Sequence, residues 1–250
     1  MTAPLWLLHG FLGAPESWER VRGSLRYPGP VRSPPLFGHG LPPREVPPDF
    51  WGAVDALAAE ILEPAFVVGY SLGGRLALGL ACRHPERIRG VIAIGANPGL
   101  GTAAERAARL AWEDQLALRL ETESLASFVD AWEKLPLFAS QARLPEPVLA
   151  AQRATRLAHD PRALARALAS LGTGRMPELP SERAEVPILL LTGEHDEKLA
   201  AAARGRPGVP HRRVPGAGHN PLLETPSLLA RILDRELSAW SVTKTLENHP

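Results

Sequence analysis

Cysteine is nearly absent from this 250-residue chain: Cys82 stands alone. That excludes an intrachain disulfide and a thiolate metal cluster, and it fits a reducing compartment. No apolar run approaches the roughly 20 residues needed to span a bilayer. The opening stretch "MTAPLWLLHGFLG" has no basic region before its short apolar segment, so no signal peptide is read there. Charge imbalance is missing as well. The 28 Lys and Arg against 27 Asp and Glu leave a net charge of +1, which offers no broad basic field to nucleic acid or an anionic membrane. There is no internal repeat, no low-complexity linker and no phosphate-binding glycine loop. A cytoplasmic protein with no metal site and no cofactor is the expectation these absences leave. Methionine and asparagine are also scarce, while proline (26 residues) and arginine are plentiful; GC-rich genomes and heat-adapted proteins share that pattern.

What the chain does contain is a succession of short apolar runs, each ending at glycine or a turn. They are Leu5–Leu8 before "HGFLG", Phe66–Val68 before "GYSLGG", Val91–Ile94 before "GANPG", Ile188–Leu191 before "TGEHD", and a weaker Arg212–Val214 before "PGAGH". Val31–Ser33 is a further candidate strand. Helical patterns at Trp51–Leu62, Arg75–Arg83 and Ser227–Trp240 lie between or after these runs. Alternating strands and helices imply βαβ units and a mostly parallel sheet of about six strands. The proline-rich "SPPLFGHGLPPREVPPDF" reads as loop, because proline removes backbone donors and blocks helix. Residues 98–180 differ: they are rich in Ala, Leu, Arg and Glu at helical spacing, with no convincing strand. This segment is expected to be a helical cap inserted into a core formed by residues 1–97 and 181–250.

Gly69-Tyr70-Ser71-Leu72-Gly73 is a G-x-S-x-G motif set between a buried strand and a helix. Its small residues permit a sharp turn that lifts the serine oxygen above the sheet. The motif alone is weak, but its partners follow in chain order. Asp196 comes after the strand at Ile188–Leu191, and His219 comes in "PGAGHN" after the last strand. Ser71 is then the nucleophile or base, His219 takes its proton, and Asp196 holds the imidazole tautomer. Glu194 is a rival for the acid. The oxyanion donors are expected to be the backbone N–H groups of Leu72 and Phe11. His9 reads as a support for the oxyanion loop and His39 as a loop anchor. His84, His159, His195, His211 and His249 have no partner at metal-ligand spacing and read as structural or surface groups.

On these residues the chain resembles the α/β-hydrolase superfamily across nearly its whole length. More narrowly it resembles the MenH family, the 2-succinyl-6-hydroxy-2,4-cyclohexadiene-1-carboxylate synthases of menaquinone biosynthesis. The narrower resemblance rests on "NPGLGTAAERAAR" and "FVDAWEKLPLFAS", alongside the widely shared "GYSLGGR", "LTGEHDEKL" and "GAGHNPLLETP". It implies an α/β-hydrolase fold and a lyase that uses the triad to eliminate pyruvate from a polycarboxylate cyclohexene. It also implies substrate contacts from Tyr70, Arg75, Arg109, Trp132 and Arg156. Arg75 sits four residues after Ser71, on the same helix face, where a guanidinium can hold a carboxylate. Against this stand plainer readings: an ion pair for Arg75, a solvated charge for Arg109, core packing for Trp132 and an aromatic wall for Tyr70. The usual D-x-P-G-H-G loop is here "SPPLFGHG", without its acid or proline. The triad alone leaves a carboxylesterase acting on a small ester open as the alternative. A complete triad argues against a non-catalytic binding protein.

Overall fold

The computed structural model describes residues 2–181 and 184–247. Six strands form one parallel sheet: β1 (Leu5–Leu8), β2 (Val31–Arg32), β3 (Ala65–Tyr70), β4 (Ile88–Ile94), β5 (Ile188–Gly193) and β6 (His211–Val214), in the order β2-β1-β3-β4-β5-β6. Register pairs Leu8 with Gly69, Tyr70 with Ile94, and Ile94 with Leu191, so the C-terminal ends of β1, β3, β4 and β5 open on one edge. Ligand sites of open parallel sheets lie beyond that edge.

Ten helices accompany the sheet among the described residues: α1 (Glu19–Arg22), α2 (Phe50–Glu60), α3 (Leu72–Arg83), α4 (Ala103–Thr122), α5 (Leu125–Glu133), α6 (Glu146–Leu157), α7 (Pro161–Leu171), α8 (Glu197–Arg204), α9 (Pro221–Glu224) and α10 (Pro226–Glu247). Single-turn 3₁₀ pieces and a longer one at Pro136–Arg143 join them.

Alternation along the strands builds a core on each face. Trp6, Leu8, Val67, Val91 and Leu190 pack with α2, α3 and α8. Leu5, Leu7, Val68, Ile92 and Leu191 pack with α1 and α10. Strands buried on both faces need unbroken apolar runs, which is why these segments do not alternate with polar residues. Each buried leucine contributes about 1.5–3 kcal/mol, so the central strands anchor everything mounted on their ends.

Between β4 and β5 the described chain contains helices and no strand. The sequence sets their starts. Thr102 accepts the Glu105 N–H while Glu105 Oε2 accepts the Thr102 N–H, a capping box at the head of α4. Asp160 accepts the Ala163 N–H ahead of Pro161 and starts α7. A third apolar cluster joins α4, α5 and α7 through Leu116, Leu120, Phe128, Leu164 and Leu168. The loop after β1 joins it through buried Leu12, with Phe11 packed against it.

Candidate active site

Ser71 stands at the junction of β3 and α3 with φ 50° and ψ −107°, a conformation that side chains other than glycine rarely adopt. Such strain costs of order 1–3 kcal/mol and persists only where packing enforces it. Here close approach enforces it. A Cβ on Gly69 would strike the backbone of Gly73, and a Cβ on Gly73 would strike Leu8 and His9. The helix therefore starts hard against β1 and β3, and the turn has no room to relax. Ser71 N–H donates to Ile94 O at 2.8 Å, and Gly73 N–H donates to His9 O at 3.0 Å. Ser71 itself is half-buried.

His219 and Asp196 meet beside this elbow. Both are buried, and His219 Nδ1 lies 2.7 Å from Asp196 Oδ2, so Nδ1–H donates and Nε2 is left as the free ring nitrogen. Asp196 Oδ1 also accepts the Leu199 N–H at 3.2 Å as the N-cap of α8. One carboxylate thus fixes both a helix start and the imidazole. Glu194 is turned elsewhere and accepts the Gly216 N–H at 2.7 Å. The imidazole lies against Gly95, directly after the Ile94 carbonyl that receives Ser71 N–H. No hydrogen bond joins Ser71 Oγ to His219.

The loop after β1 faces the serine: a Cβ added to Gly10 would lie 3.5 Å from Ser71 Cβ. The Phe11 N–H makes no hydrogen bond among the described residues. Leu72 is the first residue of α3, where an N–H has no intrahelical partner.

A cavity of about 400 Å³ adjoins the elbow, walled by Phe11, Tyr70, Trp132, Phe138, Arg156 and Asn220 among others. Tyr70 directly precedes Ser71 and Asn220 directly follows His219. Phe138 was missed in the sequence, although it lies within "DAWEKLPLF"; its ring is 6.0 Å from that of His219. Burial pushes the Tyr70 hydroxyl pKa up. Arg156 reaches the wall from α6, with Nη1 on Glu133 Oε1 at 2.9 Å and its guanidinium 5.3 Å from the Phe138 ring centre. Desolvation lowers its pKa, and Glu133 opposes that shift.

Arg75 and Arg109 are not among the wall residues. Arg75 is buried in α3, and its Nη1 meets Leu171 O at 2.6 Å and Met176 Sδ at 3.8 Å. Its side chain makes no other hydrogen bond among the described residues, and burial lowers its pKa to about 10. Arg109 donates from Nε to Glu113 Oε1 at 2.6 Å and lies over the Trp112 ring. Glu113 is fully buried and also accepts the Thr173 and Gly174 N–H groups at 2.8 and 2.9 Å. Nothing in the spacing of the sequence announced this carboxylate. Trp132 stacks on Phe128 at 5.9 Å and meets Phe11 edge-on at 5.4 Å, so it is both cavity wall and packing.

The remaining histidines have protein partners. His84 pairs with Asp55 and His211 with Thr192 Oγ1. The His195 backbone N–H donates to Ala217 O. His9, His39 and His159 form a row of edge-to-face rings. His249 lies outside the described residues. Among the described residues no three His, Cys, Asp or Glu side chains group as metal ligands, and no helix is long and apolar enough to cross a membrane.

Comparison with known proteins settles the lineage. Residues 7–232 match the alpha/beta hydrolase family. A putative 2-succinyl-6-hydroxy-2,4-cyclohexadiene-1-carboxylate synthase of Bacillus subtilis (strain 168) is 35% identical over 245 residues, which cover 93% of this chain and 89% of the relative. The chain belongs to the MenH family of α/β-hydrolases. Among solved structures, MenH from S. aureus superposes with a TM-score of 0.89 and 28% identity, covering 96% of each chain. A thermophilic esterase from Thermogutta terrifontis gives 0.80 and 25%, covering 96% of this chain and 91% of its own. The shared α/β-hydrolase fold accounts for both neighbours.

Proposed function

We propose that this chain converts 2-succinyl-5-enolpyruvyl-6-hydroxy-3-cyclohexene-1-carboxylate into 2-succinyl-6-hydroxy-2,4-cyclohexadiene-1-carboxylate and pyruvate, a step of menaquinone biosynthesis in the cytoplasm. The observation that carries this reading is the match to a synthase of that reaction along nine-tenths of both chains.

The reaction is a 1,4-elimination. The C2 hydrogen is acidic because it lies next to the succinyl ketone. Ser71 Oγ removes it as its own proton passes to His219 Nε2, and Asp196 stabilises the imidazolium that forms. Charge develops on the ketone oxygen, where the Phe11 and Leu72 N–H groups receive it. One such donor is worth about 10²–10³ in rate. The electrons then return: C2=C3 forms, the C3=C4 double bond moves to C4=C5, and the C5–O bond breaks. Enolpyruvate leaves as its enolate, and the proton held by His219 is returned to its methylene carbon, which gives pyruvate and a neutral imidazole. No water is consumed, which suits a site roofed by the 98–180 segment as a cap over the 1–97 and 181–250 core.

Substrate carboxylates fall to the arginines. Arg156 has the most direct claim, as a cavity-wall cation between Tyr70 and Phe138 in the lining, and Arg75 and Arg109 retain guanidinium donors beyond those they give to Leu171 and Glu113. Tyr70 and Trp132 supply the aromatic walls against the ring. The esterase reading has one specific support, the likeness to the Thermogutta enzyme; in it Ser71 attacks an ester and water releases the acyl group. Pyruvate release with the cyclohexene substrate, measured beside hydrolysis of a neutral ester, separates the two readings.

A further inference from the structure

Leu12 follows the proposed oxyanion donor and holds φ at 59°, although it is neither glycine nor asparagine. A left-handed residue with a branched side chain costs roughly 1–2 kcal/mol, so something must hold it. Two contacts do. Its buried side chain enters the apolar cluster of α4, α5 and α7. Its N–H donates to His39 Nε2 at 3.1 Å.

His39 is well placed to hold it. The His39 Nδ1–H donates to Phe37 O at 2.9 Å, which fixes the tautomer and leaves Nε2 as an acceptor. The ring is gripped edge-to-face by Phe11 at 5.6 Å, His9 at 5.0 Å and His159 at 5.2 Å. On the other side of Phe11, His9 Nδ1–H donates to Gly10 O at 2.8 Å while His9 Nε2 accepts the Leu36 N–H at 2.9 Å. The Phe11 peptide is therefore pinned at the carbonyl before it and at the N–H after it, each time by an imidazole. Its own N–H has no hydrogen-bond partner among the described residues.

We infer that His39 is a positioning residue: by holding Leu12 in the left-handed conformation it aims the Phe11 N–H at the oxygen on which charge develops. His159, at the α6–α7 junction, accepts the Gly40 N–H at 3.2 Å and ties the helical segment to the same loop. The inference rests on the proposed oxyanion role of Phe11. It does not depend on whether the reaction is elimination or ester hydrolysis.

The test compares wild type, His39→Ala and His39→Gln, because glutamine Oε1 can accept where Nε2 does and alanine cannot. Pyruvate elimination and p-nitrophenyl acetate hydrolysis are both followed, with melting curves and a crystal structure of each variant. His39→Ala should lower kcat by about 10- to 100-fold with KM changed by less than about threefold, a loss comparable to that of one oxyanion donor. His39→Gln should recover kcat to within about fivefold of wild type, and Leu12 should leave the left-handed region only in the alanine variant. If the alanine variant does not fold, the glutamine variant decides: near-wild-type kcat supports the inference, and a hundredfold loss in a folded protein overturns it. Unchanged kcat in His39→Ala, or a loss with Leu12 still left-handed, also overturns it. Wild type that hydrolyses the ester without releasing pyruvate would sink the lyase reading, and the His39 comparison would then be read from the ester kinetics.

Discussion

Replacing Arg156 with methionine removes a cation from the cavity wall while keeping most of its apolar stem. The stability cost is small for structural reasons. Arg156 gives up one charge-assisted bond to Glu133, but that carboxylate is partly exposed and keeps Arg153 at 3.0 Å. Because Glu133 still reaches solvent and Arg153 after the change, losing this contact costs about 1 kcal/mol, and the contact with Phe138 adds about 0.5–1 kcal/mol. Relief of the desolvation that depresses the Arg156 pKa works in the opposite direction. The net loss is about 1 kcal/mol, or roughly 2–4 °C in Tm for a chain of this size. The catalytic cost is larger. A hydrogen bond to a charged group contributes about 1.5–3 kcal/mol, so kcat/KM for the polycarboxylate should fall by about 10- to 150-fold. A neutral ester loses no such contact, and its turnover should stay within about threefold. The assay couples pyruvate release to lactate dehydrogenase and runs p-nitrophenyl acetate in parallel, with Tm as the fold control. Equal losses on both substrates would make Arg156 a structural residue and refute the carboxylate contact.

Asp196→Asn should leave α8 capped, because an amide oxygen still accepts the Leu199 N–H, yet lower kcat by about 10⁴-fold through the wrong His219 tautomer; activity within tenfold of wild type would remove Asp196 from the mechanism. Glu113→Ala strands the Thr173 and Gly174 N–H groups and frees Arg109, so urea unfolding should show a loss of about 3–5 kcal/mol; a loss under 1 kcal/mol would mean the cluster is not structural. Burial lowers the His9 pKa to about 4. Because the folded value lies below the ordinary 6.5, its contribution is fully present above pH 6.5 and is lost as pH falls, by about 2 kcal/mol at pH 5 and about 3 kcal/mol at pH 4. In His9→Asn that part of the acid sensitivity should disappear, and an unchanged pH profile of the urea midpoint would contradict the assignment.

The sheet was legible because parallel strands buried on both faces read as plain apolar runs, and Leu5–Leu8 coincides with β1 to the residue. β3 and β4 run further than their apolar cores suggested, since Gly69 and Tyr70 pair with Ala93 and Ile94, and Ile88 and Gly90 pair with Ala65 and Phe66 across a register shift that skips Arg89. The serine motif and the chain order of Asp196 and His219 were readable because local turn chemistry writes them into short segments. What stayed hidden depends on contacts across long sequence separations. Glu113 serves backbone groups some sixty residues away, and His39 serves Leu12 across 27 residues. Nor does i,i+4 spacing reveal where a side chain ends: Arg75 shares a helix face with Ser71, yet its Nη1 runs to the last turn of α7.

The central claim is that Ser71 drives elimination of pyruvate, and the most direct measurement is pyruvate release from the enolpyruvyl cyclohexene substrate by wild type and Ser71→Ala at equal concentration. The account predicts one pyruvate per conjugated diene formed in wild type, and a rate at least about a thousandfold lower in the variant. Pyruvate at no more than the uncatalysed rate in wild type, or an undiminished rate in Ser71→Ala, would contradict it.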